Sequence, residues 1–224
     1  MEATHSYLCR ELFDFNTSLL SSFEERVCDI IEMRGFQTDV LLANVGADDV
    51  LLCDMDGTLI DTDSCNTTSY KAAMEVVLGS SYAELFDEER IERTALYSKL
   101  SWISEEQLTQ IVALKEKFYA KYIDEVEIIP STMEILKMFI NANKTVLVSN
   151  ARRSRVMQTL QHLHIEGLFD AIVTKDDCNG SDKFSATISK FHLNPEKVWV
   201  FENEEAQAMD AVKAGINVKH IILR

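Results

Sequence analysis

Short apolar runs that alternate with helical stretches constrain this chain more than any other feature of its sequence. Each run is rich in β-branched or aromatic residues and almost continuously hydrophobic, which is typical of strands buried on both faces of a parallel sheet. The runs lie at residues 50–54, 145–149, 171–174, 198–202 and 218–223. Segments with helical spacing lie between them, at residues 131–140, 154–163 and 204–214. This alternation predicts an α/β fold with a doubly wound parallel sheet.

Two of these helices carry signals for their ends. Pro130 precedes the helix at residues 131–140, and Ser131 is a candidate N-cap because its hydroxyl can accept a bond from a free N–H. Gly215 follows the helix at residues 204–214, at the position where a left-handed residue often ends a helix.

The connection between the first strand and the helix at residues 131–140 is too long for a loop of a compact domain. It is rich in helix formers, and helices are predicted at residues 70–78, 82–100 and 105–122. We therefore predict a small inserted α-helical cap at residues 62–129. Residues 47–61 and 130–224 would form the core domain around which the cap is inserted.

Residues 1–46 precede this core and are predicted to form a helical N-terminal extension. Their apolar residues recur every three or four positions, as on one face of a helix. Such a helix either packs on the core as an additional structural element or offers a surface for a homodimer.

The net charge, the apolar runs and the cysteines indicate which kinds of partner and which compartment to expect. The chain has 22 Lys and Arg against 37 Asp and Glu, a formal charge of −15, which argues against nucleic acid as the main partner. No apolar run approaches the roughly 18 residues of a membrane-spanning helix. Residues 1–10 lack the basic and apolar parts of a secretory signal. The scattered cysteines without C-x-x-C spacing indicate reduced thiols, and we predict a cytoplasmic protein.

The strongest chemical signal is the sequence D-M-D-G-T-L at residues 54–59, directly after the first strand. Ligands of open α/β sheets bind at the carboxyl ends of the strands, and two buried carboxylates there are costly unless a cation or a function holds them. Asp54 can point into the site, and Asp56 can reach it from the turn. Gly57 permits a close-packed backbone, and Thr58 can form local hydrogen bonds.

Polar residues also follow the other strands. Ser149 and Asn150 end the second run, and Glu202, Asn203 and Glu204 end the fourth. Because parallel strands present their carboxyl ends at one edge of the sheet, these residues are expected to meet the two aspartates.

Two lysines follow the third strand and could bring an ammonium group to the same edge of the sheet. Lys183 starts the helical stretch there and is the favoured candidate. Lys175 is a rival for the same position.

These motifs in this order resemble the haloacid dehalogenase-like hydrolase superfamily, in particular its small-molecule phosphatases with a helical cap. That group includes phosphoglycolate phosphatase and β-phosphoglucomutase. The resemblance covers residues 49–223, with D-M-D-G-T-L as its most specific part. The sequence V-F-E-N-E followed by A-x-x-A-G is moderately specific, and S-N and the single lysine are weak.

The resemblance implies a role for each matching residue. Asp54 would be the nucleophile that forms an aspartyl-phosphate, and Asp56 the general acid and base. The transferred phosphate would be bound by a set of small, polar and cationic residues, which are Gly57, Thr58, Ser149, Asn150 and Lys183. Mg²⁺ would be held by the Asp54 carboxylate, the Asp56 carbonyl oxygen and the residues after the fourth strand, Glu202 and Asn203.

The resemblance therefore implies a Mg²⁺-dependent phosphatase of a small phosphorylated metabolite. The second acid, Asp56, favours phosphoryl transfer over dehalogenation, because a dehalogenase needs neither it nor a metal. A phosphomutase shares every core residue, and a non-catalytic binding protein on the same fold is the alternative from another class. Asn203 stands where the family usually has an aspartate and brings no charge. Either Glu202 or Glu204 supplies the carboxylate, or the magnesium site is one charge weaker.

Overall fold

The computed structural model describes residues 44–80 and 98–223, together with Tyr82, Phe86, Ile91 and Leu96. Nearly all of the predicted N-terminal extension, and most of the predicted helix at residues 82–100, lie outside the described residues.

A parallel sheet of five strands forms the centre of the protein, in the order β5-β4-β1-β6-β7. The strands are β1 (Val50–Asp54), β4 (Lys144–Val148), β5 (Ala171–Val173), β6 (Val198–Glu202) and β7 (Ile221–Leu223). The α/β prediction is confirmed, and the strands agree with the predicted runs to within a residue except at the last one. There a 3₁₀ turn, Val218–His220, precedes β7.

Helices flank this sheet, with bounds close to those predicted. They are α3 (Pro130–Phe139), α4 (Arg153–His162), α5 (Lys183–Phe191) and α6 (Glu205–Lys213). Within the part of the chain that the structure describes, no helix combines the length and the apolar character that crossing a membrane requires.

Both faces of the sheet are buried, as the continuous apolar runs predict. On one face, Leu51 and Cys53 of β1 belong to a hydrophobic cluster with residues of α3 and α4. On the other face, Leu52 of β1 belongs to a cluster with Phe184 of α5 and Met209 of α6. The alternation of neighbouring side chains between two apolar layers explains why the strands show no polar face.

The structure corrects one predicted helix end and confirms the other. Ser131 is not the N-cap of α3, because Ile129 is the N-cap and Pro130 occupies the first turn. Proline suits this position since its missing N–H would have no partner there. Gly215 follows α6 with φ of +92°, in the left-handed region as predicted.

A helical segment is connected to the core at its two ends by a small antiparallel pair of strands, β2 (Ile60–Asp61) and β3 (Glu127–Ile128). Between these strands lie α1 (Asp63–Leu78) and α2 (Glu105–Lys121). A capping box of Ser104 and Gln107 starts α2. The two helices share a hydrophobic cluster of their own, separate from those of the sheet. The boundaries of a cap domain at residues 62–129 stay a prediction.

Candidate active site

Asp54 is the last residue of β1, the central strand, and the residue is 5% exposed. Its Oδ1 accepts a bond of 2.6 Å from Lys183 Nζ, and its Oδ2 accepts one of 3.1 Å from Thr58 Oγ1. The ammonium bond is the stronger because the donor is charged. Both carboxylate oxygens are therefore oriented, one of them by a cation.

Lys183, the first residue of α5, is 1% exposed and bridges two carboxylates. Besides Asp54, its Nζ donates 2.7 Å to Glu202 Oε2 at the end of β6. Glu202 Oε1 accepts the backbone N–H groups of Asn203 and Glu204, at 3.0 and 3.1 Å. Lys183, and not its predicted rival Lys175, is thus the cation beside Asp54.

Two buried carboxylates that share one ammonium group set the electrostatics of the site. Burial, and secondarily repulsion by Asp54, raises the pKa of Glu202 to about 7 although Lys183 opposes the shift. Burial also raises the pKa of Asp54. For Lys183, burial opposes the charge, but the two carboxylates outweigh it and its pKa is raised. The site therefore carries an excess of negative charge that a further cation would relieve.

Asp56, in the turn after β1, is buried and held by three side chains. Its Oδ1 accepts from Thr62 Oγ1 at 2.9 Å, and its Oδ2 accepts from Ser149 Oγ at 3.3 Å and Arg155 Nη2 at 3.1 Å. Burial disfavours the charge of Arg155, but Asp56 and, to a smaller degree, Tyr119, Glu116 and Tyr70 together outweigh this and raise its pKa. Asp54 and Asp56 thus have different cations, Lys183 and Arg155.

The turn that joins the two aspartates requires glycine. Gly57 has φ of +80°, which other residues rarely adopt, and its N–H donates 2.8 Å to the Ile60 carbonyl. A Cβ atom built on Gly57 would also collide with the end of the Asn203 side chain. The positive φ explains why glycine is needed here, and the close approach of the Asn203 amide adds to the requirement.

The Asn203 amide lies among oxygen atoms. With its nitrogen turned inward, its two N–H groups lie within hydrogen-bonding distance of three acceptors, Thr58 Oγ1, Glu202 Oε1 and the Asp56 carbonyl, at 3.0, 3.1 and 3.2 Å. With its oxygen turned inward, it accepts from the Thr58 hydroxyl at 3.0 Å but faces the other two acceptors. Hydrogen bonding therefore favours the nitrogen inward, and a bound cation would favour the oxygen.

The donor set fits Mg²⁺, which takes few protein oxygens and keeps several waters. Within residues 44–80 and 98–223, no three His, Cys, Asp or Glu side chains form a metal cluster by themselves. A metal would therefore need the Asp56 carbonyl and the Asn203 amide oxygen beside the Asp54 carboxylate. Glu202, a predicted ligand, has its carboxylate directed at Lys183 and two backbone N–H groups instead.

A cavity of about 150 Å³ opens at this edge of the sheet. Asp54, Asp56, Lys183 and Glu202 line it together with Asn150, whose Nδ2 donates 2.9 Å to Gln207 Oε1. The other residues on its wall are Ala151, Arg155, Glu204 and Gln207. The predicted residues Ser149 and Thr58 are fully buried behind the cavity, where they bond to Asp56 and Asp54.

Sequence reasoning missed Arg155, which lies in the first turn of α4. Arg152, Arg153 and Arg155 follow the second predicted strand closely, and nothing in the sequence distinguishes them. The phase of the helix distinguishes these arginines. Because α4 starts at Arg153, Arg155 is directed to Asp56, whereas Arg153 pairs with Asp177 at 2.7 Å. The signal that the sequence offered was an arginine within a few residues of a predicted strand that ends in Ser-Asn.

Comparison with known proteins agrees with this geometry. The family model described as haloacid dehalogenase-like hydrolase matches residues 51–221, well over half of the chain. A search of curated proteins found no match.

Several solved structures share the fold. A predicted phosphoglycolate phosphatase from Haemophilus somnus 129PT is 15% identical, with a TM-score of 0.64, covering 80% of this chain and 85% of that one. A protein described as a β-phosphoglucomutase from Thermotoga maritima is 20% identical, with a TM-score of 0.57 and coverages of 77% and 83%. CbbY from Rhodobacter sphaeroides, solved with phosphate, is 16% identical, with a TM-score of 0.60 and coverages of 76% and 84%. Identities this low establish the fold alone. The family model, in contrast, matches the sequence from β1 into β7. Because of this match, the chain belongs to the haloacid dehalogenase-like hydrolase family.

Proposed function

We propose that the protein is a phosphatase that hydrolyses a small phosphorylated metabolite through an aspartyl-phosphate at Asp54. The observation that carries this proposal is the bond of 2.6 Å between Lys183 Nζ and Asp54 Oδ1, at the wall of a cavity that Asp56 also lines. A phosphate monoester and a carboxylate repel each other, and a buried ammonium group between them offsets that repulsion.

In the first step, an Asp54 carboxylate oxygen attacks phosphorus, and the bond between phosphorus and the ester oxygen breaks. Oδ2 is the better nucleophile, since it accepts from a neutral hydroxyl whereas Oδ1 accepts from an ammonium group. Protonated Asp56 gives its proton to the leaving oxygen, which departs as an alcohol. The products are the alcohol and a phosphorylated Asp54.

In the second step, Asp56 takes a proton from a water molecule as that water attacks phosphorus. The acyl-phosphate bond breaks, which releases inorganic phosphate and restores the Asp54 carboxylate. The ion pair with Arg155 suits this step because it stabilises the charged form of the Asp56 carboxylate, the form that accepts the proton. Asp56 would therefore alternate between a protonated form, needed first, and the ionised form that Arg155 favours.

We propose Mg²⁺ as the cofactor, held by the Asp54 carboxylate, the Asp56 carbonyl and Asn203 Oδ1. When bound, the ion neutralises charge on the phosphoryl oxygens and on the attacking carboxylate. The support for this assignment is the oxygen donor set and the excess negative charge of the cluster.

A phosphomutase would share the first step and differ in the acceptor, returning the phosphoryl group to a hydroxyl of the organic substrate. The test is a screen of phosphorylated metabolites with Mg²⁺ that follows inorganic phosphate and the organic products separately. Release of phosphate supports the phosphatase, and transfer to a second hydroxyl without release supports the mutase. Neither product from any compound, with the protein folded, would favour a binding protein and refute both enzymes.

A further inference from the structure

A second and larger cavity of about 750 Å³ adjoins the catalytic one. The two share Asn150, Ala151, Arg155 and Glu204 as wall residues. A phosphate ester whose phosphoryl group lies at Asp54 would therefore extend into this larger space. The residues that line this larger cavity are therefore expected to determine which substrate binds.

Lys115 of α2 lines the larger cavity and occupies an apolar position of its helix. The buried residues of α2 are Leu108, Ile111, Lys115 and Tyr119, so that the lysine continues a stripe with spacings of three and four. Its side chain is 3% exposed, and its Nζ lies 5.4 and 5.1 Å from the ring centroids of Tyr70 and Tyr119. A lysine in such a position is rarely buried unless it has a partner.

Among the residues that the structure describes, the hydrogen-bond acceptor of Lys115 is weak. Its Nζ lies 3.4 Å from Oε1 of Glu116, the next residue, whose side chain is 39% exposed. An ammonium group has three donors, and one long bond leaves it capacity for a further anion. Burial, and secondarily Arg155, lowers the pKa of Lys115 to about 8, so that it is still mainly protonated at neutral pH.

Arg155 is the second cation of this wall and connects it to the catalytic site. Its Cζ lies 5.3 Å from the ring centroid of Tyr119, the same ring that Lys115 contacts. Its Nη1 donates 3.2 Å to Asn66 Oδ1, and its Nη2 donates 3.1 Å to Asp56. Lys115 and Arg155 thus contact the same ring and both line the larger cavity, whereas only Arg155 also lines the catalytic one.

Among the described residues that line the larger cavity, basic side chains slightly outnumber acidic ones, although the chain has a net charge of −15. The lining of the larger cavity includes Lys115, Arg152, Arg155 and Lys175, against the acidic residues Glu116, Asp176 and Glu204. The Lys115 side chain is almost completely withdrawn from water, and that of Arg155 is 15% exposed. A desolvated cation is costly, and an anionic ligand offsets that cost by supplying the missing charge and acceptors.

From this wall we infer that the substrate carries a second anionic group, a carboxylate or a second phosphate, which Lys115 binds while the transferred phosphate lies at Asp54. Arg155 supplies further positive charge between the two subsites. The inference rests on the proposed function for the position of the first phosphate. It assigns a substrate class, a phosphate monoester with a second anion, and makes Lys115 a specificity-determining residue.

The test measures binding with calorimetry on the Asp54→Asn variant, so that turnover does not interfere. Two pairs of ligands differ only in the second anion: 3-phosphoglycerate against glycerol 3-phosphate, and glucose 1,6-bisphosphate against glucose 1-phosphate. We expect the doubly anionic member of at least one pair to bind roughly 10 to 100 times more tightly, the range for hydrogen bonds to charged groups. The pair that shows the preference identifies a carboxylate or a phosphate as the second group.

Variants of α2 assign the preference to Lys115. Lys115→Met should remove it, Lys115→Arg should retain it, and Lys117→Met, an exposed lysine on the same helix, should leave it unchanged. Equal affinity within both pairs, or no binding at all, overturns the inference even if Lys115→Met does not fold. If wild-type protein releases phosphate equally fast from both members of each pair, the proposed function stands and the subsite is refuted.

Discussion

Replacing Lys183 with methionine should destabilise the protein far more than removing any surface lysine. Lys183 neutralises Asp54 and Glu202 at 2.6 and 2.7 Å, and all three side chains are 7% exposed or less. In the Lys183→Met variant two buried carboxylates face each other without a cation. Breaking a buried pair by removing one partner costs about 3–5 kcal/mol.

For a protein of this size, one kcal/mol corresponds to about 2–4 °C in Tm, so that the variant should melt roughly 6–20 °C lower. The measurement is thermal and urea unfolding with a chelator present. Lys190→Met is the matched control, since Lys190 lies on the same helix and pairs with Asp177 at 2.9 Å while 43% exposed. An exposed pair contributes at most about 1 kcal/mol.

The pH dependence of this deficit has a defined sign. Without Lys183, Asp54 and Glu202 have a native pKa further above the unfolded value, so that the native state binds more protons than the unfolded chain. The free energy of unfolding then falls as pH rises between the two pKa values. Wild-type Glu202 already has a pKa of about 7, so that its protonation differs between the two native proteins only near and above that pH, and the deficit of the variant should be smaller near pH 6 than near pH 8.5. Equal losses of stability for Lys183→Met and Lys190→Met would refute the buried ion triad.

Three further predictions concern activity and binding. Asp54→Asn should abolish phosphate release while the circular dichroism spectrum stays that of the wild type. Asn203→Asp should tighten Mg²⁺ binding in calorimetry because it adds a charge to the donor set; equal affinities would place Asn203 away from the metal. The preference for a second anion should weaken as pH rises through about 8, where Lys115 loses its proton in the field of Arg155, Glu116 and Asp56; an unchanged preference to pH 10 would contradict it.

The core could be predicted from the sequence because its strands are buried on both faces. Runs such as residues 50–54 and 198–202 are apolar throughout, and both became strands with the predicted bounds. The order of the strands in the sheet could not be predicted from the sequence. The strands all have similar apolar residues, and no residue within a strand indicates which other strand it pairs with. Ser131 was misplaced because the proline before it already starts the helix.

The catalytic edge was predictable for a geometric reason. Asp54, Lys183 and Glu202 follow different strands of one parallel sheet, and the carboxyl ends of those strands meet. The structure brings these residues together, while their catalytic roles stay predictions.

The walls of the larger cavity were not predicted. Lys115 could have been found, because it interrupts an otherwise apolar stripe at helical spacing. Arg155 could not be chosen among its neighbours before the phase of α4 was known.

The most direct test of the account is to find where the phosphoryl group goes. Wild-type protein is mixed with a substrate that it hydrolyses, and the reaction is quenched in acid within one turnover. The quenched protein is then digested for peptide mass spectrometry. The account predicts one added phosphoryl group on Asp54, and none on the same peptide of the Asp54→Asn variant. Turnover without a phosphorylated Asp54 at any quench time, or the same label in the variant, would contradict it.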